Sequence, residues 1–346
     1  MVKPLFATTF VLILFGGVLY FYQEYNNLTN SKNSNSFGQK LLEELDTKAL
    51  NKIHIRSADS FVSLIQLQGG GWNEQSLKYE ADFSSIQELL LKISQIKLGD
   101  LVTNNSDHHK RFKLLEPPDN IEKWEKDVHA NSITLFKGDG AIMLSLLLGK
   151  NRQNGEGQFI RHNGSNKVFL IPEKLYVDTS LNDWLDKQLL ELETNKVKSI
   201  KIITNDNQKI NISRKSFENK WISNEETSIP NEKQIQNFLE KIENLSFTKL
   251  LDRDFINENK LSKTENTLFV TLFDGKLFTL KFLSNDESRE NYILSLRMGI
   301  LQDASNKKII EKSKITQEME SFNKKMSGRF FEISSWEGKE LLMSND

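Results

Sequence analysis

Cysteine is absent from this chain of 346 residues. That excludes disulfide scaffolds, zinc–thiolate centres, thiol nucleophiles and cysteine-linked lipid anchors together. It leaves the compartment open, because a sizeable domain folds outside the cytoplasm on its core alone. Surplus charge is missing too: 46 Lys and Arg stand against 47 Asp and Glu, a net charge of −1. No global field draws the chain to nucleic acid, so no nucleic-acid partner is expected. Recognisable chemistry is equally scarce. There is no nucleophile elbow, paired-histidine helix or calcium loop. A triad assembled from distant residues leaves no such trace, so an envelope hydrolase or transferase stays open as an alternative.

Charge is also lacking from Pro4 to Tyr22, a stretch reading PLFATTFVLILFGGVLYFY between Lys3 and Glu24. About 20 apolar residues at 1.5 Å each cross a hydrocarbon core of roughly 30 Å. Residues 1–22 are therefore expected to form a transmembrane anchor, with Tyr20, Phe21 and Tyr22 at the far interface. Lys3 and the amino terminus would stay in the cytoplasm, placing the bulk of the chain outside a bacterial inner membrane. A cleaved signal peptide competes, but the run ends in bulky aromatic residues with no small-x-small site after it. Residues 23–40, rich in Asn and Ser, read as a flexible linker.

What the chain does contain is an internal repeat. Residues 72–102 and 221–251 align without a gap, and seven of the 31 positions are identical. Trp72 matches Trp221, Ile86 matches Ile235, Leu90 matches Leu239 and Ile93 matches Ile242. Matched spacing preserves one core face in both copies, which argues for two units of one design. Their expected extents are 41–193 and 194–346.

Each copy reads β-β-α followed by a mainly antiparallel sheet, the α+β class. In the first, Ile53 and Ile55, then Val62 to Leu67, suggest two strands before a Gly69-Gly70-Gly71 turn. Asp82 is the expected N-cap of a helix with Phe83, Ile86, Leu90 and Ile93 on its core face. A polar connection at 103–130 leads to hairpins around Asp139-Gly140 and Asn163-Gly164, and a helix near 179–193 is expected to close the unit. The second copy repeats this order. Asn231 and Gln234 suggest a capping box, and a Lys- and Glu-rich helix near 306–325 interrupts the last hairpin.

The residues that invite a functional reading have plain structural alternatives. His108-His109 lies in a basic loop, yet adjacent side chains share no face and no carboxylate spacing completes a ligand set. His54 alternates with Ile53 and Ile55, so it faces solvent or a sheet partner. Asp139 and Asp274 suit tight turns, and Gly69 to Gly71 lack the helix and Lys-Ser/Thr of a phosphate cradle. Trp72 and Trp221 recur at one position, as core residues do. No catalytic, cofactor-binding or metal-binding residue is assigned, and no cofactor is expected.

The ordered segments resemble a bacterial family, domain of unknown function 4340. They are Leu45-Asp46 through Asn51-Lys52-Ile53-His54-Ile55, Gly71-Trp72 ahead of Ala81-Asp82, Phe112-Lys113-Leu114 to Pro117-Pro118, and Val168 to Pro172. The second copy departs from the pattern, with Asn259-Lys260-Leu261-Ser262 in place of the double proline. The resemblance implies no assigned activity. It implies genes often neighbouring those for an ABC-type export system similar to systems linked to gliding motility. The expected function is a non-enzymatic, extracytoplasmic accessory or binding module. Its partners would be the permease, auxiliary subunits or an envelope polymer; a structural tether is a further alternative.

Overall fold

The computed structural model describes residues 37–43, 45–153, 155–204, 209–224, 230–251, 253–258, 264–283, 291–301 and 309–343. The anchor expected at 1–22 and most of the linker lie outside the described residues. Among the described residues no helix is long and apolar enough to cross a membrane. The chain is α+β and divides into two compact units between Asp186 and Lys187.

The first unit is one antiparallel sheet carrying a helix. Its strands are β1 (Leu50–Arg56), β2 (Phe61–Gln66), β3 (Trp72–Glu74), β4 (Tyr79–Glu80), β5 (Leu101–Thr103), β6 (Asn131–Lys137), β7 (Ile142–Asn151), β8 (Gln158–His162) and β9 (Val168–Ile171). Their order is β4-β3-β2-β1-β6-β7-β8-β9-β5. Alternation aims Ile53, Ile55, Leu64, Ile133 and Leu135 at one face, all fully buried. The helix Phe83–Gln95 packs there, starting where Asp82 accepts a hydrogen bond from the Ser84 amide (2.9 Å).

The second unit comprises β10 (Val197–Ile203), β11 (Lys209–Ser213), β12 (Ile222–Ser223), β13 (Lys249–Leu251), β14 (Thr264–Leu272), β15 (Lys276–Leu283), β16 (Asn291–Ile300) and β17 (Phe330–Ser334). Their order is β12-β11-β10-β14-β15-β16-β17-β13, the order of the first sheet without a partner for β4. The register agrees as well. Ile53 faces Leu64 and Leu135, while Ile200 faces Ile212 and Val270. The bulge between Leu50 and Lys52 has its counterpart between Val197 and Ser199. Phe169 pairs with Ile160 and Leu101, and Phe331 with Leu294 and Leu250. The helix Glu232–Glu243 opens with the capping box of Asn231 and Gln234. It buries Ile235, Phe238, Leu239 and Ile242.

Several expectations need correction. Phe83 is 52% exposed, and Leu89 takes its place among the buried helix residues. The face toward the sheet runs 86, 89, 90, 93, and the first residue of the helix falls on its flank. No helix spans 179–193. A 3-10 turn at Leu181–Trp184 is followed by extended chain, because this backbone bonds elsewhere: Asp82 N donates to Trp184 O and Asp186 N to Glu80 O. The segment after Asp186 belongs to the second unit, where Phe247 N donates to Lys187 O and Leu189 N to Leu245 O. The first unit likewise opens earlier than residue 41, since Gly38 N donates to Leu98 O and Leu98 N to Gln39 O.

The connection at 103–130 is only partly polar. Its 3-10 helix Ser106–Phe112 leads Phe112 and Leu114 onto the outer face of the sheet, against Leu147 and Val168. In the second unit the helix Ile309–Met326 is docked as well as charged. Asn323 accepts from Met298 N and donates to Met298 O, and Phe322 meets Phe278 edge-on at 5.6 Å. The terminal helix Ser335–Leu341 has no counterpart among the expected elements. Its Gly338 approaches Tyr292 so closely that a Cβ would lie 2.0 Å from the ring. Gly338→Ala should therefore destabilise the chain by about 1–3 kcal/mol through overpacking. Urea denaturation checks this, and an unchanged midpoint would contradict the contact.

Candidate functional site

An open, mainly apolar groove of about 960 Å³ runs along the helix of the first unit. Its floor is made where strands begin or end: Leu50 opens β1, Gln66 closes β2 and Trp72 opens β3, with Gln66 and Trp72 register partners. One wall is a helix flank at steps of three and four, formed by Phe83, Gln87, Leu90, Leu91 and Ser94. The other wall is the entry segment with Leu42, Leu45 and Thr47, closed by Ile171 and Pro172. That segment is held by the Leu41 N to Ile96 O bond (2.8 Å) and the Lys40–Lys97 bridge.

Two residues make the wall unusual. Phe83 and Leu91 are 52% and 57% exposed, although a solvated flank is ordinarily polar. Their aligned positions in the second-unit helix are Glu232 and Glu240. The same element therefore has an apolar flank in one unit and an acidic flank in the other. The volume lies near the top of the roughly 300–1,000 Å³ typical of ligand sites, which are mostly apolar with a few polar groups. Lys40, Lys97, Glu43 and Glu173 supply charge around it.

A smaller cavity of about 480 Å³ lies on the outer face of the same sheet, lined by His54, Arg56, Ser60, Phe61, Asp119 and Trp124. Its polar groups are largely engaged with the protein. Arg56 donates to Pro118 O (2.7 Å), the Ser57 and Ser60 hydroxyls share a hydrogen bond (3.0 Å), and Ser60 also donates to Thr179 O. His54 sits edge-on between Phe61 and Phe136, with ring centroids at 5.0 and 4.7 Å. Burial, then the charges of Lys52 and Arg56, lowers its pKa from 6.5 to about 4.

The other candidates are scattered by the fold. His108 meets the Thr103 hydroxyl through Nδ1 (3.1 Å), whereas His109 is buried with Nε2 on Asn166 O (3.1 Å), so the adjacent pair diverges. His129 Nδ1 accepts from Glu125 N, and burial lowers the pKa of His162. Asp139 and Asp274 accept from Ala141 N and Lys276 N, closing their hairpins. Gly69, Gly70 and Gly71 all have positive φ, as a tight turn requires. Trp72 is buried in the core, while Trp221 is half-buried beneath the Arg214 guanidinium, 4.6 Å from its ring. Among the described residues no group of three or more potential metal ligands converges.

Sequence reasoning missed the groove because its lining is dispersed along the chain between residues 40 and 173. Phe83 and Leu91 opposite Glu232 and Glu240 were the available signal: apolar residues on a helix flank that the aligned copy makes acidic.

Unfolding frees the His54 imidazole to titrate near 6.5, so the unfolded chain binds the extra proton between about pH 6.5 and 4. Stability from this site is fully present above pH 6.5 and declines as pH falls toward 4. His54→Leu should flatten that slope in denaturation curves. An NMR titration of His54 with a midpoint near 6.5 would contradict its depressed pKa.

The family described as Domain of unknown function (DUF4340) matches residues 72–265, more than half of the chain and part of both units. No curated protein and no solved structure matches it.

Proposed function

The chain belongs to the Domain of unknown function (DUF4340) family, and from that premise we propose a non-enzymatic, extracytoplasmic binding module acting as an accessory of an ABC-type export system. The groove carries this reading. An apolar helix flank next to an open volume of about 960 Å³ suits burial of a partner's apolar residues. At roughly 25 cal/mol per Å² of apolar surface, covering such a groove provides useful affinity without catalytic groups. We further propose that residues 1–22 anchor the module in the inner membrane, with the units outside the cytoplasm and the 23–40 linker providing reach. The two units are read as tandem homologous copies of one ancestral module. Strand order, register and the paired bulges at Leu50 and Val197 support this, because independent origins have no reason to repeat a bulge.

Co-purification from solubilised membranes tests the functional proposal. Permease or ATPase subunits should accompany the full chain. Phe83→Glu with Leu91→Glu should lower their recovery at least tenfold, a loss of about 1.4 kcal/mol. Because the second-unit helix carries Glu at both aligned positions, this variant should keep its denaturation midpoint within about 0.5 kcal/mol. Absence of transporter subunits from the wild-type eluate would overturn the accessory role.

A further inference from the structure

The two units differ at one register position beside the first-unit groove. Gln66 ends β2 opposite Trp72, and the residue at the equivalent register position of the second sheet is Arg214, level with Trp221. Arg214 turns inward and is 6% exposed. Its Nε donates to Val197 O (2.8 Å) and its Nη2 to Thr194 O (2.6 Å), while Nη1 reaches Phe217 O (3.2 Å). The guanidinium lies 4.6 Å from the Trp221 ring and 5.3 Å from the Phe217 ring.

The corresponding positions in the first unit line the open groove. Leu50 stands where Val197 stands, immediately before the matched bulge, and Thr47 precedes Leu50 as Thr194 precedes Val197. Trp72 is in the place of Trp221. Gln66 breaks the correspondence, being too short and uncharged to repeat the Arg214 contacts, and the glycine turn 67–71 carries no equivalent of Phe217. In the first unit the positions matching Thr194, Val197 and Trp221 therefore line an open groove with no arginine from the chain itself among its lining.

Resting on the binding-module reading, we propose that the first-unit groove takes an arginine side chain presented by a partner polypeptide, with an apolar neighbour against Phe83 and Leu91. The bound arginine would reproduce the Arg214 geometry: bonds to the carbonyls of Thr47 and Leu50 and a cation–π contact with Trp72. Glu43 and Glu173 line the groove without an ion-pair partner among the described residues, and Lys40 and Lys97 balance them. Discrimination therefore comes from the planar donor fork rather than from net charge. A Phe three residues after the arginine, as in Arg214-Lys215-Ser216-Phe217, supplies the apolar neighbour.

The test uses the full chain and a fluorescent peptide copying Ser213–Trp221, beside the same peptide with its arginine changed to glutamine. Fluorescence anisotropy should show saturable binding of the arginine peptide, at least tenfold tighter than the glutamine peptide. Gln66→Arg in the protein should fill the seat from within, abolish peptide binding and raise the melting temperature. Leu91→Arg, on the exposed flank, should weaken the arginine peptide at least tenfold even if Gln66→Arg fails to fold. Equal affinity of the two peptides would overturn the proposal, as would binding unaffected by either variant. Displacement of both peptides alike by dodecyl maltoside would instead mark a site for amphiphiles. Transporter subunits retained on the full chain with no binding of either peptide would sink this inference while leaving the accessory role standing.

Discussion

The first unit depends on one apolar helix face being buried on the inner face of its antiparallel sheet. In the first unit Ile86, Leu89, Leu90 and Ile93 meet strands carrying Ile53, Leu64, Ile133 and Leu135. Burial of Leu- and Ile-sized side chains contributes about 1.5–3 kcal/mol each, more than caps or surface ion pairs supply. That contact orients the helix, and orienting the helix decides what its flank presents. Phe83 and Leu91 then face an open groove because the sheet-facing positions are already taken.

The two units share a strand order and differ in what surrounds it. Their strand order and pairing agree, down to a bulge at the start of β1 and β10. The units differ at the last hairpin and beside the first-unit groove. The last hairpin of the first unit turns at Asn163-Gly164, whereas the second interposes a helix fastened by Asn323 and by the Lys276–Glu318 ion pair (2.6 Å). One unit places Gln66 in the floor of its groove, and the other turns Arg214 inward at the matching register position. A buried guanidinium is costly to desolvate, and burial lowers its pKa; three backbone carbonyls and two aromatic rings compensate.

Much of this architecture was readable in advance where local chemistry and periodicity coincide. Asp82 and Asn231 cap their helices because short polar side chains reach the exposed amides of a first turn. Strand alternation placed Ile53 and Ile55 correctly in the core. The helix expected at 179–193 failed because its hydrogen bonds are made to residues about a hundred positions earlier, such as Glu80 and Asp82. Phe83 misled for a related reason: spacing shows which residues share a face, not which neighbour occupies the space beyond it.

The candidate site was much less legible than the fold. Its walls come from an entry segment, a helix flank and the end of β9, and no short window of sequence contains them together. Composition and hydrophobic periodicity established by themselves an α+β chain without thiol chemistry. Only the folded chain decided that Gln66 lines an open groove while Arg214, at the equivalent register position, turns inward onto backbone carbonyls. Periodicity records the distance between neighbours along the chain. Cavities arise from the distances between segments that are remote in it.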